Sequence, residues 1–181
     1  MNQALTAPSL NIPADAIRMT SRFFQSMRGV ESCCFWLGPR SADGTGTVMS
    51  IVVPRQRNNP GNYHIEAEAM IEVANIARPR GWTNLAQVHS HPGGDVRHSG
   101  YDDEMANSRR ALSLIYPSYG HSPGMWRFRG WLWSLWPGVF PKSVGVHAFK
   151  NSRWTFLDDG RRAEAISIVP GPAPKLIDLR K

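Results

Sequence analysis

His89-Ser90-His91-Pro92, followed by Ser99-Gly100-Tyr101-Asp102, is the stretch on which the reading of this chain turns. Two histidines stand two residues apart, and a carboxylate follows eleven residues after the second. On a β-strand over 85–91 the side chains alternate between faces, so His89 and His91 point to the same side. Their Cα atoms then lie roughly 6.6 Å apart, close enough for two imidazoles to converge on one ion. Asp102, near the start of a following helix, adds an anionic third ligand. Three protein ligands with one position left open is the pattern of a catalytic zinc site, whereas structural zinc takes four protein ligands, often cysteine-rich.

Outward from this stretch, the pattern predicts a strand over 82–91 that ends where Pro92-Gly93-Gly94 forbids regular structure. Ser99 is placed to cap a helix over about 100–110. Upstream, Ile65, Ala69, Met70, Val73, Ile76 and Ala77 give 65–78 one apolar helical face, broken by Pro79-Arg80-Gly81. A first helix starts at Pro13-Ala14-Asp15, carries Ile17, Thr20, Phe23, Phe24 and Met27 at helical spacing, and ends at Gly29. Residues 30–37 are mostly apolar and read as a strand buried on both faces. Residues 47–53 read as the next strand, 55–62 as a polar loop, and 112–116 as a further strand. Residues 143–149 and 153–157 form a hairpin across the polar link 150–152.

Between them, Trp126, Trp131, Trp133 and Trp136 crowd a segment that reads either as an insertion over the core edge or as an aromatic flap. The alternation in Trp131-Leu132-Trp133 fits a strand with both rings on one face. The division is a flexible tail over 1–12, one domain over 13–158, and an extended tail over 159–181. The order of elements makes the fold class α/β with a mixed sheet.

The chain has 181 residues, a net charge of +7 and two cysteines, Cys33 and Cys34. Its length fits one domain with a sizeable core. Adjacent cysteines make no disulfide framework, which points to a reducing, cytoplasmic setting. No secretory leader and no run of 18 apolar residues is visible, so no membrane association is expected. The basic charge fits plain solubility, nucleic-acid contact or an acidic protein partner. No block of five like charges occurs, so no polybasic arm is visible, and nucleic acid is not the expected partner.

The compound motif resembles that of the JAMM, or JAB1/MPN/Mov34, metalloproteases: an upstream Glu, then His-x-His-Pro, about seven residues, and Ser-x-x-Asp. Here His91 and Ser99 are separated by seven residues, and Glu31 is the best match for the upstream acid. Glu31 is also out of pattern among the apolar Val30 and Cys33 to Leu37, which itself marks a site. The resemblance spans roughly 13–157 and is similar to compact prokaryotic members. It implies the MPN fold, a curved sheet flanked by helices. It further implies Zn2+ on His89, His91 and Asp102, Glu31 as general base, and Ser99 as oxyanion donor in addition to helix cap. The activity implied is hydrolysis after the C-terminal glycine of a ubiquitin-like protein. Conjugates of that protein, with activating and conjugating enzymes, are the implied partners, in systems that include antiphage defence. Two other readings stand beside it: a RadC-like, DNA-associated branch, and a non-catalytic scaffold.

Among weaker candidates, His98 adjoins Ser99 and could compete for metal, and Asp103 could orient a ligand histidine. His64, His121 and His147 carry no ligand spacing, and Cys33 has no visible histidine partner.

Overall fold

The computed structural model describes residues 9–106, 108–121 and 140–180. Leu10–Pro13 forms β1 and Ala14–Ser26 forms α1, with Pro13 at the N-cap and Asp15 in the first turn. Ile17, Thr20, Phe23 and Phe24 are its buried face. Cys33–Gly38 is β2, Gly46–Thr47 is β3 and Ser50–Val53 is β4. Arg57–Asn59 (β5) and Asn62–His64 (β6) pair as a hairpin around Pro60-Gly61. Ala67–Ala77 is α2, closed by a 3-10 turn over Arg78–Arg80. Then come β7 (Thr83–Ser90), α3 (Gly100–Met105) and β8 (Leu112–Tyr116). The chain ends in β9 (Gly145–Lys150), β10 (Arg153–Phe156), α4 (Asp159–Ala165), β11 (Ile166–Val169) and β12 (Lys175–Asp178).

A seven-stranded mixed sheet runs in the order β10-β9-β8-β7-β2-β4-β12. The middle strand pair explains the layering. Every residue of β2 is buried, and strand alternation divides them between two cores. Cys34 and Trp36 join the cluster under α1, while Cys33, Phe35 and Leu37 join the one under α2. Trp36 is fixed there by a hydrogen bond from its Nε1 to Thr20 Oγ1 at 3.0 Å. β2 runs antiparallel to β7 with Cys33 opposite His89, and β8 runs parallel to β7 on the other side. Helices therefore cover both faces of an α/β sheet, as the element order predicts. Among the described residues no helix is long and apolar enough to cross a membrane.

Four expectations change. Residues 10–12 are not part of a loose tail: Leu10 and Ile12 are buried, and β1 lies between β11 and β3 in a parallel three-stranded sheet. Their alternation is a strand's, but its partners lie some 35 and 155 residues away in the chain. The C-terminal stretch is not merely extended. It forms α4 and two strands, and β12 pairs with β4 as an edge of the main sheet. The polar stretch at 55–62 opens into the β5–β6 hairpin, and the helix after Ser99 stops at Met105, short of 110. The readings of Trp126 to Trp136, as strand, cover or flap, fall outside the described residues.

Candidate metal centre

The site forms at the C-terminal end of β7. His89 and His91 share a face, as strand alternation requires, and their Nε2 atoms stand 3.1 Å apart. Asp102 comes from the first turn of α3: Oδ1 lies 3.1 Å from His89 Nε2 and Oδ2 lies 3.5 Å from His91 Nε2. An ion held tetrahedrally at zinc-ligand distances separates its donor atoms by about 3.3 Å, so these spacings fit one metal ion among the three side chains. The donor set, two imidazoles and a carboxylate, suits a borderline metal.

The electrostatics agree. Burial holds His89 below the usual imidazole range, so it stays neutral with a lone pair to give. Burial opposes the charge of Asp102, but hydrogen bonds from His89 and His91 overcome it and keep the carboxyl well below the carboxylate range. Burial also pushes His91 down, yet Asp102 and the Asp95 carbonyl raise it overall. Protons thus compete for His91 at acid pH.

The supporting shell is specific. His91 Nδ1 lies 2.9 Å from the Asp95 carbonyl oxygen, which makes Nδ1 the donor and leaves Nε2 to face the centre. Ser99 caps α3 in a reciprocal box: Asp102 N donates to Ser99 Oγ at 3.2 Å, and Ser99 N donates to Asp102 Oδ2 at 2.7 Å. The Ser99 hydroxyl also donates to Oδ2 at 2.7 Å. Capping and proximity to the ligands therefore coexist in one residue.

Glu31 precedes β2 and is 7% exposed. The β5–β6 hairpin grips its backbone, with Glu31 N donating to the Asn59 carbonyl at 2.9 Å and Asn58 Nδ2 donating to the Glu31 carbonyl at 2.5 Å. Burial lifts its carboxyl from 4.5 to about 7, with His91 pulling down and Asp102 pushing up. An acid near neutrality beside a metal-type triad is suited to proton transfer. Ser118 and Tyr119 are both left-handed, at φ 49°. Such strain persists where the surroundings fix it. Here Ser118 N donates to Gly93 O and Tyr119 N to His91 O, each at 2.8 Å, while Tyr119 Oη donates to Pro60 O at 2.7 Å.

The structure thus brings together His89, His91, Asp102, Ser99 and Glu31. His98 stands beside the triad, its ring 6.3 Å from that of His89, but both its nitrogens are engaged by other partners, Nδ1 2.7 Å from Asp103 Oδ1 and Nε2 2.8 Å from Ser113 Oγ. Its ring packs 4.2 Å from that of His147 and 5.1 Å from Trp154. Asp103 therefore orients His98, not a ligand. This clamp ties the loop before Ser99 to β8, and Gly145 on β9 makes room for the same loop, since a Cβ there would meet Val96 O at 2.3 Å. The contiguity of His98 with Ser99 was the only sequence signal for the clamp. Among the remaining candidates, His64 Nδ1 lies 3.2 Å from Tyr101 Oη, and burial pushes His147 down to about 3. Cys33 and Cys34 are buried free thiols whose ionisation burial suppresses, which removes them as nucleophiles.

Residues 15–131 match the family described as prokaryotic homologs of the JAB domain. Over 120 residues the chain is 29% identical to "Probable metalloprotease y4jG" of Sinorhizobium fredii, covering 62% of this chain and 73% of that one. Two solution structures share the fold. One, a Desulfitobacterium hafniense protein, has TM-score 0.62 and 16% identity, covering 90% of this chain and 94% of that one. The other, from Salinibacter ruber, has TM-score 0.53 and 17% identity, covering 82% and 88%.

Proposed function

The chain belongs to the prokaryotic family of JAB-domain homologues, and from that membership we propose that it is a zinc-dependent isopeptidase. Its substrate would be the amide after the C-terminal glycine of a ubiquitin-like protein, with removal of the modifier from targets as the main reaction and precursor maturation as a second use. The observation that carries this is the convergence of two imidazoles and a carboxylate within 3.1–3.5 Å, with buried Glu31 alongside.

Zinc held by His89, His91 and Asp102 would supply Lewis acidity, polarising the scissile carbonyl and drawing the pKa of water down to about 7. Glu31, tuned to about 7, takes a proton from the attacking water and delivers one to the leaving nitrogen as the C–N bond breaks. Ser99 is a poor nucleophile here: its hydroxyl is engaged with Asp102, and among the described residues no histidine stands by to accept its proton. Hydrolysis is therefore direct, without an acyl-enzyme. Rotation of the hydroxyl hydrogen away from Asp102 frees it for the oxyanion, while the Ser99 N–H keeps Oδ2 in place. One such donor is typically worth ~2.7–4 kcal/mol of barrier. The β5–β6 hairpin, held against Glu31, sets strand backbone beside the centre, where an extended glycine-ended tail would lie. Buried unpaired cysteines fit a reducing cytoplasm, and an antiphage-type conjugation system is the setting the family offers.

A panel of ubiquitin-like proteins fused through their terminal glycine to a reporter tests this. Cleavage after glycine by wild type, lost on chelation and restored by zinc, is the expected result. A zinc-loaded protein that cleaves none of a broad panel, including modifiers encoded beside it, would refute the isopeptidase reading.

A further inference from the structure

The sequence holds no block of like charges, yet the fold assembles one. β7 and β8 both start at the end of the sheet away from His89, while β2 and β9, antiparallel to them, finish there, and β10 begins there. The connections at that end carry Arg40 after β2, Arg78 and Arg80 before β7, Arg109 and Arg110 before β8, and Lys150 and Arg153 at the β9–β10 turn. We infer that this pole, opposite the metal centre, is a docking surface for duplex DNA, held through its phosphate backbone.

Contacts tie the connections together. The Arg40 guanidinium donates to the Arg110 carbonyl at 3.0 Å, and Lys150 pairs in register with Arg153. Arg80 lies over Trp82 at 5.4 Å and Arg109 over Phe149 at 4.8 Å, so two guanidinium planes are already braced. All of these cations except the half-buried Arg40 are exposed. Among the described residues none of the ion pairs, from Arg18–Asp15 to Arg180–Asp178, involves a cation of this pole, so its charge is not neutralised by salt bridges; Arg22, Arg28 and Lys175 are likewise outside them. The neighbouring acid, Asp43, accepts from Ser41 and Thr45 in its own loop.

The chemistry selects the occupant. A stable protein interface needs an apolar centre; among the described residues the exposed large apolar side chains are scattered, Met49 and Leu176 at the starts of β4 and β12 on the outer flank of this end, Ile71 on α2 and Phe156 at the far end of β10. Among the described residues, Trp82 and Phe149 at this end are covered by Arg80 and Arg109 and are not open for base stacking. Arginine forks match phosphate oxygens. Five strand ends at sheet spacing make a row about 19 Å long, past which a duplex presents on the order of eleven phosphates.

The test is fluorescence anisotropy of a random-sequence duplex against the full chain, titrated across salt. Wild type should bind at about 50 mM salt with a steep salt slope. R109A/R110A should lower the slope by roughly 1.8 and weaken binding on the order of 50-fold at 0.1 M salt, and R109K/R110K should restore both. R78A/R80A should behave like the first pair. Binding should be indifferent to chelator and to Glu31→Gln, so its failure is separable from failure of the hydrolase reading. Absence of duplex binding at low salt, unchanged slopes in both alanine pairs, tighter binding of single strands, or displacement by polyglutamate at equal charge would each overturn the proposal.

Discussion

Glu31→Gln separates what a residue does for stability from what it does for chemistry. Burial raises the Glu31 carboxyl from 4.5 to about 7. In the native state the group then holds its proton through a range where the unfolded chain has already released it. For an acid shifted upward, stability is therefore lost as pH rises from about 4.5 and the loss is complete above about 7. At 1.36 kcal/mol per tenfold, the penalty at pH 8 reaches roughly 3 kcal/mol in the metal-free protein. Glutamine copies the protonated form in shape and carries no such penalty. Metal-free Glu31→Gln should thus match wild type near pH 4.5 and exceed it at pH 8. For a chain of this size the gain corresponds to about 6–12 °C in Tm. The same substitution should cost ~10²–10⁴-fold in turnover by zinc-loaded protein, since a general base is worth that much, while metal content stays at the wild-type level. The assay is thermal melting of chelated wild type and variant at the two pH values, with turnover measured separately. A variant that is no more stable than wild type at pH 8, or whose advantage is equal at both pH values, would show that Glu31 is not a destabilising buried acid. A variant that still turns over would remove it from proton transfer.

Ser99→Ala should keep its metal, lose about 1 kcal/mol of stability with the α3 cap, and lose far more turnover than that; turnover that survives would reduce Ser99 to a cap. His98→Ala removes hydrogen bonds of 2.7 and 2.8 Å to Asp103 and Ser113. It should weaken metal binding on the order of tenfold, the size typical of groups that support a site from behind, with partial recovery in His98→Gln; competitive metal titration decides. A thiol alkylator should leave activity intact, because Cys33 and Cys34 are fully buried with thiols held protonated. Inactivation without metal loss would contradict that.

The clustering of His89, His91 and Asp102 was legible because its geometry is local. Two histidines two apart need only a strand, and Asp102 needs only the cap that Ser99 supplies. Glu31 was legible as an acid in an apolar setting, but its hold on the β5–β6 hairpin was not, since Arg57 to His64 is polar and its turn at Pro60-Gly61 announces a bend without a partner. β1 and β11 illustrate the limit from the other side. Leu10 and Ile12 alternate over too few residues to declare a strand, and only pairing with Ile166 and Ile168 makes one. Likewise β12 is a strand because Ser50 to Val53 offers it an edge. The His98 clamp and the basic pole share this property. Their parts come from separate elements, so no window of sequence contains them.

The most direct test of the central claim is metal content by mass spectrometry of wild type, His89→Ala and Asp102→Ala, each purified without added metal. One zinc per wild-type chain, with both variants empty yet folded, is the predicted result. Zinc retained at wild-type stoichiometry by either variant would contradict a site built on His89, His91 and Asp102, and with it the hydrolytic chemistry drawn from that site.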